Sequence, residues 1–111
     1  MATKDGLSIE RGHDNGELVI HLGGEVDLAT SPFLEEALSE VADNRVLVLE
    51  CSAITFLDSS GLRVVLRQAT RLSLGGGSLR LRRPSTSVRQ LLRVVSAAEL
   101  DEEWSADFSE E

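Results

Sequence analysis

Four consecutive residues, Asp58-Ser59-Ser60-Gly61, concentrate more chemistry than any other stretch of this sequence. Two hydroxyls stand behind a carboxylate and ahead of a glycine, and three kinds of chemistry use such a set. The first is capping: a helix N-terminus leaves four backbone N–H groups without intrahelical partners, and a short polar side chain can accept from them. The second is phosphoryl acceptance. A phosphate on Ser59 adds about −1.5 to −2 charges at pH 7 with three acceptor oxygens, and the positive end of a helix dipole accommodates it without unfolding the domain. Asp58 and any acidic partner surface would still repel it, so an interface can be switched with the fold intact. Gly61, lacking a Cβ, admits close approach of another chain. The third is nucleophilic catalysis, which meets two obstacles. The hydrolase elbow G-x-S-x-G needs glycine two residues before the serine, where Leu57 stands. The only imidazoles, His13 and His21, fall in a predicted turn and a predicted strand with no sequence relation to Ser59.

Other groups carry less. Arg63, Arg67 and Arg71 recur every four residues as a basic helix stripe, open either to a phosphate or acidic partner or simply to solvent. Arg80, Arg82 and Arg83 cluster at a strand end and read as solvated. No aromatic residue lies between Ser59 and Ala98 to stack on bases, which argues against nucleic-acid binding. Glu35-Glu36 and Glu102-Glu103 are adjacent and diverge on a helix, so they make poor acid/base pairs. No Cys/His cluster has metal-ligand spacing. Cys51 is the only cysteine, ends an apolar run, and reads as a packing residue.

The 111 residues amount to one ordinary domain, and 41% apolar with 27% charged residues is a soluble globular composition. The N-terminal residues lack a secretory signal pattern, and no apolar run reaches the roughly 20 residues of a membrane span. A cytoplasmic protein is the expectation. The net charge of −8 is unevenly spread: residues 59–98 hold eight arginines and no carboxylate, whereas residues 99–111 hold seven carboxylates and no base. The basic half is expected to present a face that the acidic tail screens or lies near.

The elements that position the serines follow from periodicity. Residues 6–10 and 17–22 read as strands joined by a turn at Asn15-Gly16, a pair suited to positive φ. Gly23 to Asp27 reads as a loop ending the second strand. Thr30 or Ser31 then caps a helix with Pro32 at its first position and an apolar stripe of Leu34, Ala37, Leu38 and Val41, ended by Asp43-Asn44. Val46-Leu47-Val48-Leu49, apolar throughout, fits a strand covered on both faces. A second helix starting at Ser59 buries Leu62, Val65, Leu66, Ala69 and Leu72 until Gly75-Gly76-Gly77 stops it. Residues 78–82 alternate as a strand, and a third helix carries Val88, Leu91, Leu92 and Val95. The order is β-β-α-β-α-β-α: an α/β fold with a small mixed sheet, an N-terminal hairpin followed by parallel strands, covered by helices.

The stretch Phe56-Leu57-Asp58-Ser59-Ser60-Gly61-Leu62 resembles the STAS family of anti-sigma factor antagonists, and Gly24-Glu25-Val26-Asp27 followed by Thr30 is similar to that family's first conserved loop. Element order and length agree over roughly residues 6 to 100. The resemblance implies that the unphosphorylated domain binds an anti-sigma factor, itself a serine kinase, and so frees a sigma factor for RNA polymerase. It implies that the kinase phosphorylates Ser59 and that a PP2C-like phosphatase reverses this. ATP and metal then belong to those partners, and the chain itself needs no cofactor and is no enzyme. Asp27 matches an acidic position beside the phosphorylation site, and Thr30, Asp58, Ser60, Gly61 and Arg63 complete the expected partner surface. A role in stress response or sporulation, and a monomer or weak dimer, accompany that expectation. Two departures stand out: an acidic tail, residues 101–111, replaces the family's terminal helix, and Arg63 occupies a position where a small residue is expected. The whole, residues 1–111, reads as one domain. The alternative within the same fold is a phospho-regulated scaffold or sensor module of a larger signalling complex.

Overall fold

Asn15 and Gly16 both adopt positive φ, 53° and 79°, the geometry of a two-residue hairpin turn whose twist matches its strands. In the computed structural model, which describes residues 1–99, this turn joins β2 (Leu7–Asp14) to β3 (Glu17–Val26) in register from Asp14–Glu17 to Leu7–Gly24. A further strand, β1 (Ala2–Lys4), precedes them and pairs antiparallel with β2. It was not expected, because three exposed residues carry no apolar alternation. The turn that forms it, Asp5-Gly6 with φ of 50° and 94°, is nonetheless the same kind of signal as Asn15-Gly16.

The remaining elements are α1 (Ser31–Ser39), β4 (Val46–Leu57), α2 (Ser59–Leu74), β5 (Ser78–Arg82) and α3 (Thr86–Glu99). The strands form one sheet in the order β1-β2-β3-β4-β5, antiparallel through β3 and parallel from β3 to β5. This is the mixed α/β architecture expected. Four boundaries differ, and the first is that β2 continues past residue 10 to Asp14. Residues 23–26 are strand rather than loop: β3 runs to Val26, with irregular register between His21 and Gly23 and between Gly24 and Glu25. Gly24 makes that possible. Its φ is +92°, and a Cβ there would lie 1.9 Å from the Gly6 carbonyl oxygen, so the two strands close only over glycine. β4 is three times the length of its apolar run, and α1 ends at Ser39, ahead of Asp43-Asn44.

One face of the sheet carries Leu7 and Ile9, Leu18, Ile20 and Leu22, Leu47, Leu49 and Cys51, and Leu79 and Leu81. All three helices lay their apolar stripes on it: Leu34, Leu38 and Val41 from α1 and its exit, Leu62, Val65, Leu66, Ala69 and Leu72 from α2, and Val88 and Leu92 from α3. Ala37 and Leu91 pack at its margin; the side chain of Val95 lies outside the described residues, as do residues 100–111. Leu47, Val48 and Leu49 are buried, but Val46 is 44% exposed and departs from the fully covered strand expected. Burial holds the Cys51 thiol in its neutral form, its pKa pushed up to about 12, with the Glu50 charge adding to the effect.

Four of the eight arginines after Ser59 are paired with carboxylates of the first half of the chain. Arg67 bonds Glu35 at 2.5 Å, Arg80 pairs with Glu17, Arg82 reaches Glu50 at 2.7 Å and Asp14 at 3.1 Å, and Arg83 reaches Glu50 at 3.2 Å. These pairs join the acidic first half of the chain to the basic second half across the sheet and across the α1–α2 contact. Burial raises the Glu50 pKa, but the Arg82 guanidinium, the Ser52 donors and the Arg83 charge outweigh it, and Glu50 stays ionised below the ordinary carboxylate range.

Replacing Leu49, fully buried in the sheet centre, by alanine is expected to cost about 2–5 kcal/mol in urea unfolding. Val46→Ala, three residues away on the same strand, should stay within about 0.5 kcal/mol of the parent.

Candidate functional site

Where β4 gives way to α2, Asp58 leaves the helical region (φ −105°, ψ −177°) and turns its side chain back over the helix start. Its Oδ1 accepts the backbone N–H groups of Ser60 at 2.9 Å and Gly61 at 3.1 Å, and the Ser60 hydroxyl at 2.5 Å. The cap is therefore the aspartate, not a serine. Its own N–H donates to the Val26 carbonyl at 3.1 Å, tying the end of β4 to the end of β3. Partial burial raises the Asp58 pKa. The Ser60 hydroxyl and the amides of Gly61, Ser60 and Leu28 outweigh that effect, and the carboxyl is held below its ordinary value, ionised.

Those bonds separate the two serines. Ser60 is half-buried and its hydroxyl is donated to Asp58. Ser59, the first residue of α2, is exposed, and among the described residues its hydroxyl has no hydrogen-bond partner. Its oxygen is open to an incoming electrophile, and the orphan N–H groups and dipole of a 16-residue helix lie behind it.

A second turn stands beside the first. The Asp27 Oδ1 accepts the Thr30 N–H at 3.0 Å, and the Thr30 oxygen accepts the Asp27 N–H at 2.9 Å. This is the reciprocal arrangement of a capping box, placed one turn ahead of α1. The single Thr30 hydroxyl proton is directed at the Glu25 carbonyl, 3.0 Å away, with Asp27 Oδ1 at 3.2 Å. Thr30 thus does not cap α1 with its side chain, contrary to expectation. The Leu28 N–H reaches Asp58, so the two turns share one carboxylate.

The expected site residues divide by exposure. Ser59 and Arg63 are at the surface, one helical turn apart; Asp27, Asp58 and Ser60 are half-buried; Thr30 and Gly61 are buried. The last two shape the site from within. A Cβ on Gly61 would lie 2.3 Å from Val26 Cγ1, so the close approach this glycine permits is by Val26 of the same chain, not by a second chain. Two residues were missed. Leu28, 76% exposed, donates its backbone N–H to Asp58, and Phe56, 51% exposed, stands two residues before Asp58 in the chain. A large apolar residue in a turn is a surface signal for Leu28. For Phe56 only the strand's pleat decides which way the ring points. Among the described residues no three His, Cys, Asp or Glu side chains converge to hold a metal.

Comparison with known proteins meets this geometry. The family model described as the STAS domain matches residues 8–106. The anti-sigma-F factor antagonist RsfB of Mycobacterium tuberculosis is 39% identical over 74 residues, which are 65% of this chain and 61% of that protein. The chain thus spans less than two thirds of that relative's length. An anti-sigma F factor antagonist of Paenibacillus polymyxa is 33% identical over 89 residues, covering 78% of this chain and 76% of the relative. The crystal structure of an anti-sigma factor antagonist from Mycobacterium paratuberculosis superposes with a TM-score of 0.65 at 28% identity, covering 96% of this chain and 98% of that one.

Two substitutions test the site's construction. Gly61→Ala forces a methyl into Val26 and should lower stability by about 1–3 kcal/mol in chemical unfolding. Asp58→Asn addresses the charge. With the folded-state pKa of Asp58 below its ordinary 3.8, the unfolded chain takes up the proton first. The stabilisation is therefore complete above 3.8 and lost as the pH falls through the folded value. Melting curves between about pH 5 and pH 2 should fall less steeply for Asp58→Asn than for the parent.

Proposed function

The chain belongs to the STAS domain family, and from that membership we propose that it is an anti-sigma factor antagonist: unphosphorylated, it binds an anti-sigma serine kinase and releases a sigma factor, and phosphate on Ser59 switches the binding off. Relatives named as such antagonists support this. The observation that carries the reading is the difference between the two serines. Ser60 Oγ donates to Asp58, so phosphorylating it would break that hydrogen bond and set the phosphate against the capping carboxylate, whereas the exposed Ser59 hydroxyl costs no hydrogen bond to modify.

The switch follows from charge placement. Asp58 is held ionised directly before Ser59, so phosphorylation gathers about three negative charges at one helix end. In water the helix dipole and the N–H groups offset part of this, and the domain stays folded. At an interface the same charges must be stripped of water, which costs several kcal/mol per ion unless a matched partner group is present. Leu28 and Phe56 supply the apolar contact that a partner would cover, and Arg63, one turn into α2, borders it. The protein in this reading is a binding switch rather than an enzyme: ATP and metal act on the kinase and on a PP2C-like phosphatase. A single domain over residues 1–111, acting as a monomer or weak dimer in the cytoplasm where sigma factors work, suffices for it.

Incubation with ATP and the cognate anti-sigma kinase, followed by intact-mass measurement and peptide mapping, tests the assignment. One phosphate on Ser59 is expected, absent in Ser59→Ala and still present in Ser60→Ala. Mapping to Ser60, or equal labelling of Ser59→Ala, would overturn it.

A further inference from the structure

β4 outruns its neighbour β5. The two pair in parallel from Val46–Ser78 to Glu50–Arg82, and β4 then continues alone on that side to Leu57. The stop lies in the sequence that follows β5. Arg83 takes a φ of 55°, which turns the chain out of the strand, and Pro84 after it has no N–H to continue the ladder. On its other side β4 stays paired with β3 as far as Val26–Leu57. Among the described residues, therefore, no strand lies along the outer edge of residues 51–57. The Ser52 N–H is met by Glu50 Oε2 at 3.1 Å, which leaves residues 53–57 as the open stretch.

An open edge presents backbone N–H and C=O groups without ladder partners, and proteins ordinarily blunt it with charge, proline or shortness. Cys51-Ser52-Ala53-Ile54-Thr55-Phe56-Leu57 contains no charged residue, no proline and no glycine, and it ends on four residues suited to a strand. Two shifts of register against β3 bend this stretch without covering its edge. Alongside the edge runs a cleft of about 200 Å³, between Ile54, Thr55, Phe56 and Leu57 on β4 and Ser85 and Val88 at the start of α3.

We propose that this edge takes up an extended segment of a partner protein as a further strand, paired to the backbone of residues 53–57, with an apolar side chain of that segment seated in the cleft. Ladder hydrogen bonds supply the affinity, and the cleft selects the side chain. A second copy of this chain fits the edge poorly. An edge meets the same edge of another copy antiparallel, about a two-fold axis. Overlap of residues 51–57 then sets Asp58 opposite Glu50 of the other copy, carboxylate against carboxylate. It also brings the other copy's β5, which flanks residues 46–50, into line with the end of β4, where Asp58 and Ser59 stand. A lone extended segment meets neither obstacle. The site adjoins the Ser59 surface but uses the strand edge rather than the helix end, and it does not depend on which protein reads Ser59.

The test is an NMR titration of the full, isotope-labelled chain with an acetylated and amidated peptide, Lys-Thr-Val-Ile-Val-Thr-Lys. Saturable shifts at the amides of residues 53–57 and 85–88 are expected. Two further peptides carry backbone N-methyl groups, one on both valines, the other on the isoleucine and the second threonine. Alternate residues of a strand donate to opposite sides, so one methylated peptide should bind about tenfold or more weakly and the other as the parent does. No saturable shift, shifts centred on α2, or equal effects of the two methylations would overturn the proposal. So would broadening at residues 53–57 that grows with the concentration of the chain alone, which would make a second copy the occupant.

Discussion

One carboxylate holds the switch region together. Asp58 caps α2 through Ser60 and Gly61, takes the Ser60 hydroxyl, and receives the Leu28 amide from the turn ahead of α1, while its own amide is anchored on Val26. Without it the ends of β3 and β4 and the starts of α1 and α2 would share no common acceptor. Ser59 is left exposed because Asp58 occupies the capping role that a serine would otherwise fill. The chemistry offered by the adjacent residue is a consequence of how the helix is closed.

Magnitudes decide how a phosphate there acts. A good N-cap contributes about 0.5–2 kcal/mol, and the dipole at a helix start favours an anion by about 0.3–1 kcal/mol. Two like charges some 4 Å apart in water repel by only about 1 kcal/mol per unit pair. These terms nearly balance, so the free domain tolerates the modified serine. Desolvation at an interface works on a larger scale, several kcal/mol per ion. A phosphate at this position therefore separates binding from folding. The tight seat of Gly61 on Val26 adds to this separation by fixing the helix end against the sheet.

Much of the fold is legible in the sequence because local rules and packing agree. Asn15-Gly16 forms the turn its φ preference demands, and the apolar stripes of all three helices lie on one core. The failures occur where tertiary context decides. Gly23-Gly24 reads as a strand breaker, yet the Gly6 backbone pressing on Gly24 makes a bulged continuation the better solution. Thr30 has the composition of a cap but spends its hydroxyl on Glu25 and Asp27. The basic stretch after Ser59 suggests a surface field, and only the strand registers reveal that Glu17, Glu50 and Asp14 lie across from it. At the site the tetrapeptide is visible in the sequence. Which serine is free, and that Leu28 and Phe56 are exposed, depends on hydrogen bonds and pleat direction that spacing does not encode.

The central claim is that charge at Ser59 governs binding while leaving the fold alone. The most direct measurement is calorimetric titration of the anti-sigma kinase with chain carrying phosphoserine at position 59, beside a thermal melt of the same sample. The account expects affinity to fall by orders of magnitude with the melting temperature of the free domain nearly unchanged. Undiminished affinity, or a melting temperature that collapses together with binding, would contradict it.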